Sequence, residues 1–299
     1  MKRISGWLFL LLPVMILVTE GCNSVTNRQE VDKMITVSIL PQKYFVDQLA
    51  GNRFEVNVMI PPGASPVTYE PSPKQIQKIG NSMAYLRIGH IVFENVWMDK
   101  IQSANPELQV FDQSEHVELI RHETGHTHSM GQGHGRGVDP HIWLSPGAVK
   151  AQVKNIKDML IELDSANRKE YQNNYQAMIS RIDSLDAQIN KTLEDIDNRS
   201  FLIFHPALSY FARAYQLEQV AVQHEGKEPS PARLRNLIDE ARKKNIRAVL
   251  IQEQFSTDEA QTLAEELNAE VIQVDPLAYN WMENMMTIAR KMQKALKGA

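Results

Sequence analysis

Eight short runs rich in β-branched and aromatic residues, arranged in two sets of four and separated by helical patterns, constrain this chain more than any other feature. The first set is Ile35 to Leu40, Phe54 to Ile60, Ala84 to Ile88 and Leu108 to Phe111; the second is Phe201 to Phe204, Gln219 to Val222, Ala248 to Ile251 and Glu270 to Val274. Strands that alternate with helices build βαβ units and parallel sheet. Two like sets predict two like lobes, and 299 residues exceed what one core comfortably holds.

Between the sets lies a long helical stretch. Ser145-Pro146 reads as an N-cap with proline at the first helical position, and Val149, Val153, Ile156, Leu160 and Leu163 follow at helical spacing. After Asp164-Ser165 the pattern resumes from Tyr171 to Ile196 without Gly or Pro, predicting a helix over 167–196. At 1.5 Å per residue it would run roughly 45 Å, long enough to act as a rigid connector between lobes. Such a connector predicts nearly rigid lobes with local loop movement rather than a wide hinge closure.

The N-terminus has a separate task. Lys2 and Arg3 precede the apolar run Leu8 to Val18, which is too short to span a bilayer, and Gly21-Cys22 follows. This is the layout of an export signal, and Cys22, the only cysteine of the chain, resembles the acylated cysteine of bacterial lipoproteins. The expected organisation is therefore a signal over 1–21, a lipidated tether over 22–33, an N-terminal α/β lobe over 34–144, connecting helices over 145–197 and a C-terminal α/β lobe over 198–299. The protein is expected outside the cytoplasm, periplasmic or on the cell surface, held to a membrane by its lipid and acting as a monomer. A formal charge of -4 with no basic stripe excludes a nucleic-acid partner bound through phosphates.

Periodicity fails over residues 121–138, where four histidines and five glycines make a flexible loop whose composition attracts metal. Ligands of open parallel sheets bind beyond the carboxyl ends of the strands. Those ends carry His90, His205, Glu253 and Asp275, while His141 lies in Asp139-Pro140-His141-Ile142-Trp143 just before the helical stretch. Imidazole and carboxylate are the donors that borderline divalent cations accept. Taken singly, each of these residues reads as well as a hydrogen-bonded structural group; only their joint placement points to metal. The clusters Trp97-Met98 and Trp281-Met282, with Met285 and Met286, read as core packing rather than a stacking platform. No nucleophile elbow and no P-loop appear, which argues against an enzyme.

Several strings together resemble the zinc and manganese ABC-transporter substrate-binding lipoprotein family: Gly63-Ala64-Ser65-Pro66 with Thr68-Tyr69-Glu70-Pro71-Ser72-Pro73; Ile88-Gly89 with Phe93-Glu94 and Trp97; Asp139 to Pro146; His205-Pro206-Ala207 with Tyr210-Phe211-Ala212; and Asp275-Pro276-Leu277. The resemblance covers nearly the whole chain after the tether. It implies two Rossmann-like lobes, each with a mostly four-stranded parallel sheet, joined by a long rigid helix, with a metal in the interlobe cleft. It assigns His141, His205 and Asp275 as metal ligands. It also implies an ABC permease and its ATPase as partners. Where the family has its first histidine ligand this chain has Val67, whose isopropyl group cannot coordinate. Water or a loop histidine such as His126 or His128 is the favoured replacement, with His90, Glu253 and Glu70 also open.

The function expected is therefore extracytoplasmic capture of a divalent metal, Zn2+ ahead of Mn2+, for an ABC-type importer. Two imidazoles and one carboxylate suit zinc, whereas manganese prefers more oxygen. The alternatives are a manganese-binding homologue, an adhesin or interaction protein with a degenerate site, and, least favoured, a zinc hydrolase with three protein ligands and a water. Neutral imidazole is needed for ligation, so affinity is expected to fall with pH through the imidazole range.

Overall fold

The computed structural model describes residues 33–121, 137–223, 229–255 and 257–297. The export signal, Cys22, residues 22–32 of the tether, His126 and His128 lie outside the described residues. Among the described residues no helix is long and apolar enough to cross a membrane.

All eight expected strands form. In the first sheet β1 (Met34–Val37), β2 (Glu55–Val58), β3 (Ser82–Arg87) and β4 (Gln109–Asp112) lie in the order β2-β1-β3-β4, all parallel. In the second, β5 (Ser200–Ile203), β6 (Glu218–Ala221), β7 (Ala248–Gln252) and β8 (Glu270–Val274) take the equivalent order β6-β5-β7-β8. Each sheet therefore reverses its winding once, between β1 and β3 and between β5 and β7. A crevice opens beyond the carboxyl ends of the strands at such a reversal. All four residues of β1 and all five of β7 are buried, as expected where helices cover both faces of a sheet.

Local chemistry explains where several helices begin. Helix α1 (Leu40–Ala50) has Pro41 in its first turn, and Gln42 Oε1 accepts the Ser38 and Ile39 N–H groups at 2.8 and 3.0 Å. This start cuts the expected first strand short, because a helix takes over at Leu40. Helix α2 (Pro73–Ile79) opens with a reciprocal cap between Ser72 and Gln75, α3 spans Val92–Ala104 and α4 spans Pro146–Leu163.

The long helix is shorter than its periodicity predicts. A 3-10 turn over Ser165–Asn167 follows α4, and α5 runs Arg168–Thr192, 25 residues, or about 37 Å rather than 45 Å. The apolar spacing continues into Leu193 and Ile196, both buried, but these pack from a turn. Helix α5 touches both halves of the molecule: Asn174 Nδ2 donates to Leu49 O at 2.8 Å on one side, and Tyr215 Oη donates to Asp186 Oδ1 at 2.8 Å on the other. The second half adds α6 (Ser209–Ala214), α7 (Pro231–Lys243), α8 (Thr257–Leu267) and α9 (Trp281–Leu296). Ser230 caps α7 by accepting from Arg233 N, with Pro231 in its first turn.

Candidate metal centre

His141 precedes the 3-10 turn Ile142–Leu144, whose three residues are buried. Asp139, buried at 3% exposure, turns back on it: Oδ1 accepts the His141 backbone N–H at 2.9 Å and pairs with His141 Nδ1 at 2.8 Å. Burial alone would raise the Asp139 carboxyl. The His141 ring, a Ser209 hydroxyl and the His141 N–H together bring it below the usual carboxylate range. An ionised Asp139 holds the proton on Nδ1 and leaves the Nε2 lone pair as the donor.

His205 follows β5 at the reversal point of the second sheet. Its ring stacks on Phe255 with centroids 5.3 Å apart and stands edge-on to His141 at 5.4 Å. Gln252 Nε2 donates to His205 O at 2.5 Å, fixing the loop. Burial, and behind it the charge that His141 can carry, push the imidazole down to about 4; a hydrogen bond with Gln223 and the Asp139 carboxylate oppose this only in part. The ring is therefore neutral at ordinary pH and competent to ligate.

Asp275, at the end of β8, is half-buried; its Oδ1 accepts from Leu277 N at 2.9 Å and Gln254 Nε2 at 3.2 Å. Two indoles tie its neighbourhood to that of His141: Trp143 Nε1 donates to Pro276 O at 2.8 Å, and Trp281 Nε1 donates to Trp143 O at 2.7 Å. Trp281 is 1% exposed and Trp143 likewise, so these are core groups. Trp97 is only half-buried and lies under Lys100, whose ammonium sits 4.1 Å from the ring centre.

The structure thus sets His141 and His205 face to edge. Among the described residues no group of three or more His, Cys, Asp or Glu side chains is already gathered closely enough to hold an ion. Glu70 and Glu253 are exposed, and Val67 is 37% exposed. His90, half-buried, follows β3 at the reversal point of the first sheet. Its imidazole is lowered by burial, which Asp112 opposes and which Arg87 and Arg121 reinforce.

Sequence reasoning missed the groups around the donors. The signal for Asp139 was its position two residues before His141, which suits a side chain folding back onto a backbone N–H. Glu94 was noticed only as part of a motif, yet it is fully buried and carries the loop before His90. It accepts from Ile88 N at 2.7 Å, Gly89 N at 2.8 Å and Ser38 Oγ. Burial raises its carboxyl to about 7 against the lowering effect of those bonds and of Arg87.

Residues 35–295 match the family described as zinc-uptake complex component A, periplasmic. The chain belongs to this family. As a component of a zinc-uptake complex it is a binding protein and not an enzyme, and its family works with an ABC transporter. It is 28% identical over 291 residues to the high-affinity zinc uptake system protein ZnuA of Bacillus subtilis, covering 90% of this chain and 86% of that protein. It is 29% identical to the zinc-binding lipoprotein AdcA of Streptococcus pneumoniae, covering 99% of this chain but 61% of that longer relative. Among solved structures, a zinc-bound ZnuA deletion mutant is similar with a TM-score of 0.82 and 36% identity, over 90% of this chain and 99% of that one. The two-lobed fold with two parallel sheets is shared with it.

Proposed function

We propose that this zinc-uptake component captures one Zn2+ ion on His141 Nε2 and His205, with Asp275 as the carboxylate donor, in the cleft between the two sheets. The observation that carries this reading is the spacing of the two imidazoles. Two rings bound to one tetrahedral ion through Zn–N bonds of about 2.0–2.1 Å have their centres about 5 Å apart, and His141 and His205 stand at 5.4 Å. Asp139 supports it by holding the proton on His141 Nδ1, which leaves Nε2 free to ligate, as in carboxylate-histidine-zinc triads. Nitrogen donors favour zinc over manganese.

The ion is then passed to an ABC permease and its ATPase. Export, acylation at Cys22 and attachment of a monomer to the bacterial membrane through residues 22–33 complete the proposal, with lobes over 34–144 and 198–299 and connecting helices over 145–197. Calorimetric titration of the processed protein with Zn2+ and Mn2+ tests it. One Zn2+ per chain, bound more tightly than Mn2+ and lost in His141→Ala and His205→Ala, is the expected result. Binding of neither metal by the parent together with zinc binding by Val67→His would establish instead a degenerate site, as an adhesin or interaction protein would have.

A further inference from the structure

We infer that His90 supplies the third imidazole of the zinc site, in place of the side chain that Val67 cannot provide. This rests on the zinc-capture reading above and adds a residue to it.

The helix α3 start draws the two loops into one corner. Phe93 N donates to Pro66 O at 3.1 Å, which holds the Val67 loop, and Glu94 accepts from Ile88 N and Gly89 N at 2.7 and 2.8 Å, which holds the His90 loop. Residues 67 and 90 are thus delivered to the same end of the first sheet by two consecutive residues of one helix.

The turn before His90 is equally determined. Gly89 has φ +120°, and a Cβ there would meet Ser114 Oγ at 2.7 Å, so the chain passes through a conformation and a space that admit only glycine. Glycine at this point lets β3 end abruptly and turns residue 90 off the sheet at the winding reversal, the place where open parallel sheets bind ligands. His205 stands at the reversal point of the other sheet.

The segment that carries His141 is itself tied down beside residues 120–121: Arg121 pairs with Val138 in an isolated β-bridge, and Asp139 N donates to Ile120 O at 2.9 Å. Arg87 does not compete with an ion for the His90 imidazole, because it is engaged with Asp112 at 3.0 Å and with Gly89 O at 3.1 Å. The carboxylate candidates are less suited: Glu70 and Glu253 are exposed, and a third neutral nitrogen donor keeps the site matched to zinc. Closure on the ion requires the His90 side chain to turn toward the His141 and His205 rings about its own torsions.

The test uses the full processed chain with zinc, and with Co2+ as a spectroscopic probe. X-ray absorption at the zinc edge should count three imidazoles in the parent and two in His90→Ala. Zinc affinity should drop at least tenfold in His90→Ala and His90→Gln, and Val67→His placed on His90→Ala should restore both the affinity and the count. The Co2+ visible bands should change in His90→Ala and return in the double variant. Parent-like affinity, imidazole count and cobalt spectrum in His90→Ala, while His141→Ala has lost binding, would overturn this assignment alone. Unchanged binding in His141→Ala and His205→Ala would overturn the zinc-capture reading itself. Circular dichroism of His90→Gln, which keeps a polar side chain of similar length, separates a lost ligand from a lost fold.

Discussion

Two buried groups should give the metal-free protein opposing pH dependences that nearly cancel. Glu94 titrates at about 7 in the folded chain against an ordinary value of 4.5, because burial disfavours its charge. Between those values the folded state keeps a proton that the unfolded state has released, so stability falls as pH rises through this window. His205 titrates at about 4 against an ordinary 6.5, again because burial disfavours charge. Here the unfolded state binds the proton first, so stability rises with pH from about 4 to 6.5. At about 1.4 kcal/mol per pH unit each effect amounts to roughly 3 kcal/mol, with opposite sign. Urea unfolding in the presence of a chelator, at half-unit steps from pH 4.5 to 7.5, should therefore show a parent profile shallower than that of Glu94→Gln, with His90, whose imidazole burial also lowers, adding to the rise with pH. Glu94→Gln should unmask the His205 effect and lose about 3 kcal/mol on acidification relative to neutral pH. His205→Leu should unmask the Glu94 effect and lose a similar amount on going from pH 4.5 to 7. Parallel profiles for the parent and Glu94→Gln would show that this carboxyl is not protonated near neutrality and would refute the reasoning.

Trp143→Phe removes the indole N–H from Pro276 O and leaves that carbonyl without its donor; urea unfolding should show a loss of about 1–3 kcal/mol. Asp139→Asn keeps the side-chain shape but no longer holds the His141 proton on Nδ1, so calorimetry should show zinc affinity reduced about 10- to 100-fold with the fold retained. Gly89→Ala forces a side chain into a left-handed turn against Ser114, and the thermal midpoint should fall in step with a loss of about 1–3 kcal/mol. Zinc at about a thousandfold above its dissociation constant should stabilise the parent by about 4 kcal/mol, and thermal scans of His141→Ala should show this gain abolished.

The amino-acid sequence by itself determined the eight strands, the parallel architecture and the start of α4 at Pro146. Each of these depends on backbone geometry within a short window: apolar runs bounded by turns, proline at a first turn, and strands spaced by helices. It failed by a few residues at Leu40 and at Thr192. There the apolar spacing continues past the element's end, because Leu193 and Ile196 are buried whether or not the helix includes them. His205 and Asp275 stood out as candidates by motif and by their positions near strand ends, and His141 by its motif just before the helical stretch.

Only the tertiary structure decided which of them meet. His141 and His205 are 64 positions apart in the chain, and their rings come to 5.4 Å because the segment before the Ile142–Leu144 turn meets the loop after β5. The same holds for the Trp281 indole against the Trp143 carbonyl and for Ser38 against Glu94 beneath the His90 loop. A side chain's charge state and donor direction depend on what packs around it, and packing between distant segments leaves no period in the sequence.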